Sequence, residues 1–315
     1  MVIGNKSLAV LGRSNHIRSN HIKKSMDERV ISIISYAFIG LLVALTILPL
    51  MHVASKAFSA DWAINSGQVN ILPVGFQFES IRHVISSKTF LTAFGNSLFA
   101  TAAGTLCTLA ITAFTAYPLS MLHLPFMKGA LMLFVFNMFF TGGIIPTYLI
   151  YNSYGIVNTR ASLIMPGLIN VFHLLIIKNF YEDIPESIIE SARLDGANSL
   201  RILIQFVMPL SKPVYATITV FTSVLLWNSY FEPPVYMPMM YINSPELQTL
   251  PLYLRDVIAG ANNTQALSML LIEKNLAAES ITAAAIVTST VPILLVYPFM
   301  QRHFVKGMTM GSTKG

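Results

Sequence analysis

Apolar residues fall in long runs along this chain, and shorter polar stretches separate the runs. A helix needs about 20 mostly apolar residues to cross the hydrocarbon core of a bilayer. Six runs reach or approach that length, so the pattern predicts six transmembrane helices. They cover residues 30–51, 90–116, 126–149, 162–177, 214–230 and 281–300. The fourth run is short and contains Pro166.

The composition supports an all-α polytopic membrane protein. Hydrophobic residues make up 54% of the 315 residues, charged residues make up only 11%, and the mean hydropathy is +0.63. A soluble domain usually carries about 25% charged residues, so this chain lacks the charge to cover a soluble surface. The single cysteine, Cys107, excludes a disulfide framework and is expected to be a small buried or lipid-facing residue.

The distribution of basic residues predicts the orientation, because cytoplasmic loops carry an excess of Lys and Arg. With six spans, both termini lie on one side. That side holds 14 of the 20 basic residues when Lys128 is counted with the second loop, and the opposite side holds 6. We therefore expect a cytoplasmic tail at 1–29, a transmembrane domain at 30–301 and a cytoplasmic tail at 302–315. The net charge of +6 is then a topology signal rather than a sign of nucleic-acid binding.

The spans lack the residues of an ion-coupled carrier or an enzyme. With Lys128 assigned to its loop, no Asp, Glu, Lys or Arg lies within them, whereas ion-coupled carriers usually place such a residue in the membrane. His173 is the titratable exception, and we expect it to be a packed core histidine. The chain also lacks a G-x-x-x-x-G-K-[ST] loop and an H-E-x-x-H motif. We therefore expect no catalytic residues, no metal and no cofactor bound by this chain.

The most specific feature is the stretch NFYEDIPESIIESARLDGANSLRILIQFVMPLSKP between the fourth and fifth runs. A short helix is predicted at 184–194, with Asp195 and Gly196 as its stop. A second helix is predicted at 198–207, and its apolar face contains Leu200, Leu203, Ile204 and Val207 at helical spacing. We call residues 184–209 the elbow.

The elbow needs a surface to pack on, because an isolated helix of about ten residues is marginal in water. Ile188, Ile189 and Ala192 offer an apolar patch, and Glu190 and Arg193 are spaced to form an ion pair. Two interpretations remain open at this point. The elbow packs on its own membrane domain, or it docks a soluble cytoplasmic partner.

The pattern Glu190-Ser191-Ala192-x-x-Asp195-Gly196-Ala197, then eight residues, then Phe206-x-Met208-Pro209, resembles a known signature. It is similar to the E-A-A…D-G-A…I-x-L-P signature of the permease subunits of binding-protein-dependent ABC importers. Ser191, Phe206 and Met208 depart from it conservatively. The segments NSLFATAAGTLCTLAITAFTAYPLS, FTGGIIPTYLIYNSYGIVNTRASLIMPG and WNSYFEPPVYM resemble carbohydrate-importer permeases related to the maltose permeases. The ending QRHFVKGMTMGSTKG resembles the LplC/YtcP-like branch, whose members are inferred to carry complex oligosaccharides.

The resemblance covers all but about the first thirty residues and implies the type I ABC importer permease fold, with a shared core at about 90–301. It implies a second permease subunit in the bacterial cell membrane, a cytoplasmic ATPase dimer that binds ATP and Mg, and an extracellular solute-binding protein. It also implies that the elbow is the coupling element that contacts the ATPase. The coupling residues would be Glu190, Ala192, Arg193, Asp195, Gly196, Ala197 and Pro209.

The substrate candidates follow from the chemistry of sugars, which favour aromatic faces with hydroxyl and amide partners. They are Asn96, Asn137, Trp227, Asn228 and Tyr230. For each polar residue, hydrogen bonding between helices is the alternative role. The loop at 238–278 is expected either to reach into the binding protein or to cover its own helices. A permease for a non-sugar solute and a stand-alone secondary transporter are the alternative functions.

Overall fold

The computed structural model describes residues 26–121, 124–140, 142–228, 244–262 and 277–311. The regular elements in these ranges are all helices, which confirms the predicted all-α class. They are α1 Met26–Ala57, α2 Asp61–Asn65, α3 Glu79–Ser86, α4 Lys88–Ser120, α5 Met127–Phe139, α6 Ile144–Ser153, α7 Val171–Glu182, α8 Glu186–Leu194, α9 Ser199–Leu210, α10 Lys212–Trp227, α11 Leu250–Asn262 and α12 Ala278–Gly311. The chain divides into two compact units, Met1–Leu50 and Met51–Gly315.

Three helical stretches of the described residues are long and apolar enough to cross a membrane. They are Arg29–Ala57, Lys88–Ser120 and Ala278–Leu295, and they correspond to the first, second and sixth predicted spans. Two bent pairs raise the number to as many as five. The turns at Arg160–Gly167 meet α7 at 56°, and α9 meets α10 at 79°. By length and composition, the described residues therefore provide three spans, or up to five if each bent pair is one span.

The third predicted span, 126–149, is not one continuous helix. α5 ends at Phe139, α6 begins at Ile144, and Gly143 between them has a φ of 83°. The double glycine at 142 and 143 explains the break, because glycine weakens a helix and takes a positive φ without strain. The 13 residues of α5 extend about 20 Å at 1.5 Å per residue, which is short of a hydrocarbon core of about 30 Å.

The core of the Met51–Gly315 unit is built around α4, which packs against α7, α10 and α11. It approaches α10 closely at Gly104, where a Cβ would lie 2.7 Å from Cδ1 of Leu226. A Cβ on Gly167 would lie 3.2 Å from Cδ2 of the same leucine. The Thr108 hydroxyl donates a hydrogen bond to the Gly167 carbonyl at 3.2 Å. Small residues therefore allow these segments to approach closely, as is common between membrane helices.

Asp61, in α2, holds the beginning of α12. Its Oδ1 accepts hydrogen bonds from the Ala277 backbone N–H at 2.9 Å and from the Ser280 hydroxyl at 2.6 Å. Its Oδ2 accepts from Nε2 of Gln77 at 3.3 Å. A carboxylate at a helix N-terminus satisfies unpaired N–H groups and interacts favourably with the helix dipole.

Large apolar side chains remain exposed on α5 and α6. They include Met132, Leu133, Phe136, Phe139, Ile145 and Leu149. Cys107 on α4 is also exposed, in agreement with the lipid-facing alternative predicted for it. Such surfaces are unfavourable in water and suit contact with lipid tails or with another membrane subunit.

Candidate functional site

The first helix of the elbow is α8, and it ends in a Schellman motif. The Ala197 N–H donates to the Ala192 carbonyl and the Gly196 N–H donates to the Arg193 carbonyl, both at 3.0 Å. Gly196 has a φ of 80°, which is the left-handed conformation that this motif requires at that position. The predicted stop at Asp195 and Gly196 is confirmed. Pro185 precedes the helix as its N-cap residue, so α8 begins two residues later than predicted.

One side of the elbow is packed on the membrane domain. Ala192 is 3% exposed and belongs to a buried cluster with Ile177 of α7, Val207 of α9 and Ile218 of α10. Beside this cluster the hydroxyls of Tyr181 and Tyr215 are hydrogen-bonded, which links α7 to α10. Ala197 and Ile189 lie against the same cluster. Because the elbow packs directly on α7 and α10, a displacement of the elbow would also displace these two helices.

The buried face of α9 differs from the predicted one. Leu200 and Ile204 are exposed, whereas Ile202 is buried together with Leu203 and Val207. Within this stretch a π-helical turn covers Leu203–Val207, and the wider turn shifts its side chains, including the exposed Ile204, away from the spacing of an α-helix. Pro209 favours such an irregularity, because it lacks the N–H that would donate to residue 205 and its ring crowds that carbonyl.

The other side of the elbow is exposed. Leu194 is 90% exposed, and Glu190, Arg193, Asp195 and Gly196 around it are exposed as well. Glu190 and Arg193 are not among the ion pairs of the described residues, so the predicted pairing is wrong in this conformation. The elbow thus presents an apolar side chain within a charged rim while its opposite face is packed.

A first cavity of about 360 Å³ lies between α5, α7 and α10. Asn137, a substrate candidate, lines it together with Asn170, His173 and Thr222. Asn170 caps α7 by accepting the His173 backbone N–H at 3.2 Å. The His173 ring lies 3.4 Å from the Thr222 hydroxyl, and its ring stacks on Phe221 at 6.0 Å. His173 is buried, so the prediction of a packed core histidine is confirmed.

A second cavity of about 610 Å³ lies between the end of α10, α11 and α12. It contains two more substrate candidates, Trp227 and Asn228. Arg255 of α11 and Ser289 of α12 line the same cavity. The second cavity therefore brings together an aromatic ring, an amide, a hydroxyl and a guanidinium.

The segment before α11 is anchored to α4. Nδ2 of Asn96 donates to the carbonyls of Glu246 at 2.7 Å and Gln248 at 3.0 Å. The Ser97 hydroxyl accepts from the Leu250 N–H at 2.8 Å. Asn96 thus has both amide hydrogens engaged in holding this segment, and it does not line either of the two cavities. Tyr230 lies outside the described residues, as do 238–243 and 263–276 of the loop predicted at 238–278.

The sequence pattern did not predict Arg255 or Ser289 as residues of a cavity. Arg255 lies in a stretch predicted only as an outer loop, yet LPLYLRDVIAGAN forms the regular helix α11. The available signal was the amphipathic spacing of that stretch, in which Leu250 and Tyr253 are buried against Phe90 and Ala284. Burial raises the pKa of Tyr253, which keeps its phenol neutral.

Comparison with known proteins identifies the family. No protein-family model matches the chain. The protein LplC of Bacillus subtilis is 37% identical over 287 residues, which cover 91% of this chain and 96% of LplC. The polygalacturonan/rhamnogalacturonan transport system permease protein YtcP of the same organism is 34% identical, with coverage of 92% and 100%.

A solved structure agrees with these relatives. A chain of a bacterial ABC transporter involved in the import of the acidic polysaccharide alginate superposes with a TM-score of 0.82 and 30% identity. The match covers 89% of this chain and 99% of that chain. The two curated relatives and the superposed chain cover nearly the whole protein, and the elbow signature is present. The chain therefore belongs to the permease subunits of carbohydrate ABC importers.

Proposed function

We propose that this permease receives the energy of ATP hydrolysis through the exposed side of its elbow. The observation that carries the proposal is the division of the elbow into two faces. Ala192 is packed against α7 and α10, while Leu194 beside it is 90% exposed. Docking of an ATPase on Leu194 would cover this apolar side chain, and Glu190, Arg193 and Asp195 would form the polar rim.

The rigid turn at Gly196 gives the elbow the stiffness that coupling requires. An ATPase shifts the conformation of the permease only if its closed and open states contact the elbow differently. Because Ala192, Val207 and Ile218 share one cluster, such a difference would be passed to α7 and α10. These helices also line the first cavity, so the elbow and the candidate pathway use the same helices.

The remaining architecture of the importer is proposed on the basis of the family. The chain would lie in the bacterial plasma membrane with six spans and cytoplasmic termini, beside a second permease. It would contain no ATPase site of its own, and ATP and Mg would be bound by a cytoplasmic ATPase dimer. An extracellular solute-binding protein would deliver the substrate.

The solute is proposed to be an oligosaccharide. The names of YtcP and of the alginate transporter refer to polysaccharides, and the second cavity offers the aromatic and amide groups that sugars prefer. Asn137 in the first cavity and Trp227 and Asn228 in the second would contact the substrate. Asn96 would act indirectly, by holding the segment that leads into α11.

Site-directed cross-linking tests the coupling contact. Cys107 is the only cysteine, so Cys107→Ser provides a background for Leu194→Cys and for Gln68→Cys. Gln68 is exposed and lies between the first two predicted spans, on the side opposite the predicted cytoplasmic termini. With a bifunctional thiol–amine reagent, Leu194→Cys should cross-link to the copurifying ATPase, and Gln68→Cys should not. A membrane-impermeant maleimide added outside should label only Gln68→Cys. The absence of an ATPase from the purified complex, or labelling of both positions from outside, would contradict the proposal.

A further inference from the structure

The predicted outer loop between α1 and α4 carries a group of exposed apolar side chains. The loop begins directly after Arg29–Ala57, one of the helices that can cross a membrane. Contiguous apolar surfaces outside the core mark contacts with membranes or with other proteins. We call this group the outer apolar patch. Its members are all more than half exposed, and they are Trp62, Leu72, Phe76 and Phe78.

The aromatic members of the patch have defined positions. The rings of Phe58, Phe76 and Phe78 pack on one another, with centroids between 5.0 and 5.7 Å apart. The ring of Trp62 lies against Gly75, where a built Cβ would be 3.5 Å from Cζ2 of the tryptophan. Gly75 also has a φ of 65°, which a glycine adopts without strain. The rings therefore form an ordered surface rather than a set of separate exposed residues.

A shallow groove of about 220 Å³ adjoins the patch at the last turns of α1. Ser55 is the polar member of its lining among the described residues, and its hydroxyl donates to the Ile71 carbonyl. His52 donates from Nδ1 to the Asn70 carbonyl at 2.8 Å. These two hydrogen bonds hold the loop against α1 and engage the hydroxyl of the groove, so the groove suits an apolar chain. Its other lining residues are Met51, Ala54, Phe58, Leu72 and Pro73.

The segment that carries the patch displays very little charge. Asp61 is the only charged residue between Ala57 and Glu79, and both of its carboxylate oxygens accept hydrogen bonds from within the protein. Docking surfaces for soluble proteins usually have a polar rim and complementary charges. The headgroup region of a bilayer instead takes up uncharged aromatic side chains, and tryptophan is enriched there. The charge pattern and the position next to a span therefore favour a lipid surface as the partner.

We infer that the outer apolar patch inserts into the outer leaflet of the membrane, at the boundary between headgroups and acyl chains. The rings of Trp62, Phe76 and Phe78 contact lipid, and the groove at the end of α1 holds part of an acyl chain. This contact is separate from the elbow, so the inference goes beyond the proposed coupling function.

The inserted patch would also position α12. Asp61 precedes Trp62 and accepts hydrogen bonds from the Ala277 N–H and the Ser280 hydroxyl at the start of α12. Ile64 and Ala277 belong to one buried cluster, which packs α2 against the same point. Insertion of Trp62 would therefore hold the beginning of α12 at the membrane surface.

Photochemical cross-linking identifies what covers the patch. The photoreactive amino acid p-benzoylphenylalanine is introduced at Trp62 or at Phe76 in the complete importer, with its binding protein, in native membrane vesicles. Both side chains are exposed, so the replacement should not disturb the fold, and copurification of the subunits checks assembly. After irradiation, mass spectrometry should find phospholipid adducts at both positions, because the patch lies among lipids.

Two exposed positions outside the patch serve as controls. Gln68 lies in the same loop and has a polar side chain, so the photoreactive group there should give fewer lipid adducts. The same group at Leu194, in the elbow, should give an adduct with the ATPase. A missing ATPase adduct at Leu194 would contradict the proposed function and would not affect the inference about the patch.

Three results would overturn the inference. The first is an adduct of the patch positions with the solute-binding protein or with the second permease in place of lipid, which would make the patch a protein interface. The second is the absence of any adduct at both patch positions, which would place them in water. The third is an equal yield of lipid adducts at Gln68 and at the patch.

Discussion

The substitution Gly196→Val places a β-branched residue where the backbone has a φ of 80°. No atom lies within 4 Å of a Cβ built on Gly196, so the substitution causes no steric clash, and its cost comes from the backbone alone. The left-handed conformation costs about 1–2 kcal/mol for a residue with a Cβ, and more for a β-branched one. The Schellman turn that joins α8 to α9 is therefore destabilised by about that amount.

This cost predicts the loss of transport. A change of 1–2 kcal/mol lowers a conformational population by a factor of about 5–30. If only the observed turn docks productively on the ATPase, the initial rate of ATP-dependent uptake by Gly196→Val should fall by a similar factor. Membrane insertion should be unchanged, because Gly196 lies outside the apolar spans. The assay compares uptake in proteoliposomes that contain equal amounts of importer.

Two control variants isolate the cause. Gly196→Asn should transport at nearly the wild-type rate, because asparagine tolerates the left-handed conformation. Gly155 also has a positive φ, 66°, with no atom within 4 Å of a built Cβ, and it lies outside the elbow. Gly155→Val has the same backbone cost and should preserve the coupling between ATP hydrolysis and uptake. Wild-type uptake by Gly196→Val, or equal uncoupling by Gly155→Val, would refute the reasoning.

Three further outcomes are expected. Gly104→Val should lower the melting temperature of the detergent-solubilised protein, because overpacking against Leu226 costs about 1–3 kcal/mol. Adding Leu226→Ala should restore part of the melting temperature. Gly95→Val, in open space on the same helix, should lower it less. Asp61→Ala should destabilise the fold by about 1–3 kcal/mol in a denaturant titration, because it leaves the start of α12 without its acceptor. Asp61→Asn keeps an acceptor oxygen and should cost less, and unchanged stability of Asp61→Ala would contradict this role. Leu194→Ser should reduce the amount of ATPase that copurifies. The melting temperature should stay constant, because this side chain is 90% exposed. Unchanged copurification would exclude Leu194 as a docking contact.

Features with local causes were predictable. The end of α8 follows from Asp195 and Gly196, because a glycine can take the left-handed conformation on its own. The apolar lengths of the first, second and sixth runs suffice to predict helices that can cross a membrane. The glycines at 142 and 143 that interrupt the third run were also visible, but their effect was underestimated because the flanking residues are so apolar.

The buried face of α9 was not predictable from helical periodicity. The expected face assumed 3.6 residues per turn, whereas the turn at Leu203–Val207 is a π-helix. Ile202, just before that turn, is buried, and Ile204 within it is exposed. The stability of this turn depends on packing against Ile177 and Ile218, which lie on other helices, so the local sequence alone did not determine it.

By itself, the sequence determined the all-α class of this protein, the family signature of its elbow and the end of α8. Those conclusions depend on composition, glycine chemistry and a contiguous motif, all of which act over a few neighbouring residues. The tertiary structure decided which polar residues share a cavity. Asn96 holds a backbone segment, whereas Trp227 lies beside Arg255 and Ser289, although the three come from different helices. Their meeting depends on the packing of α10, α11 and α12, because cavities form between elements that are distant in the chain.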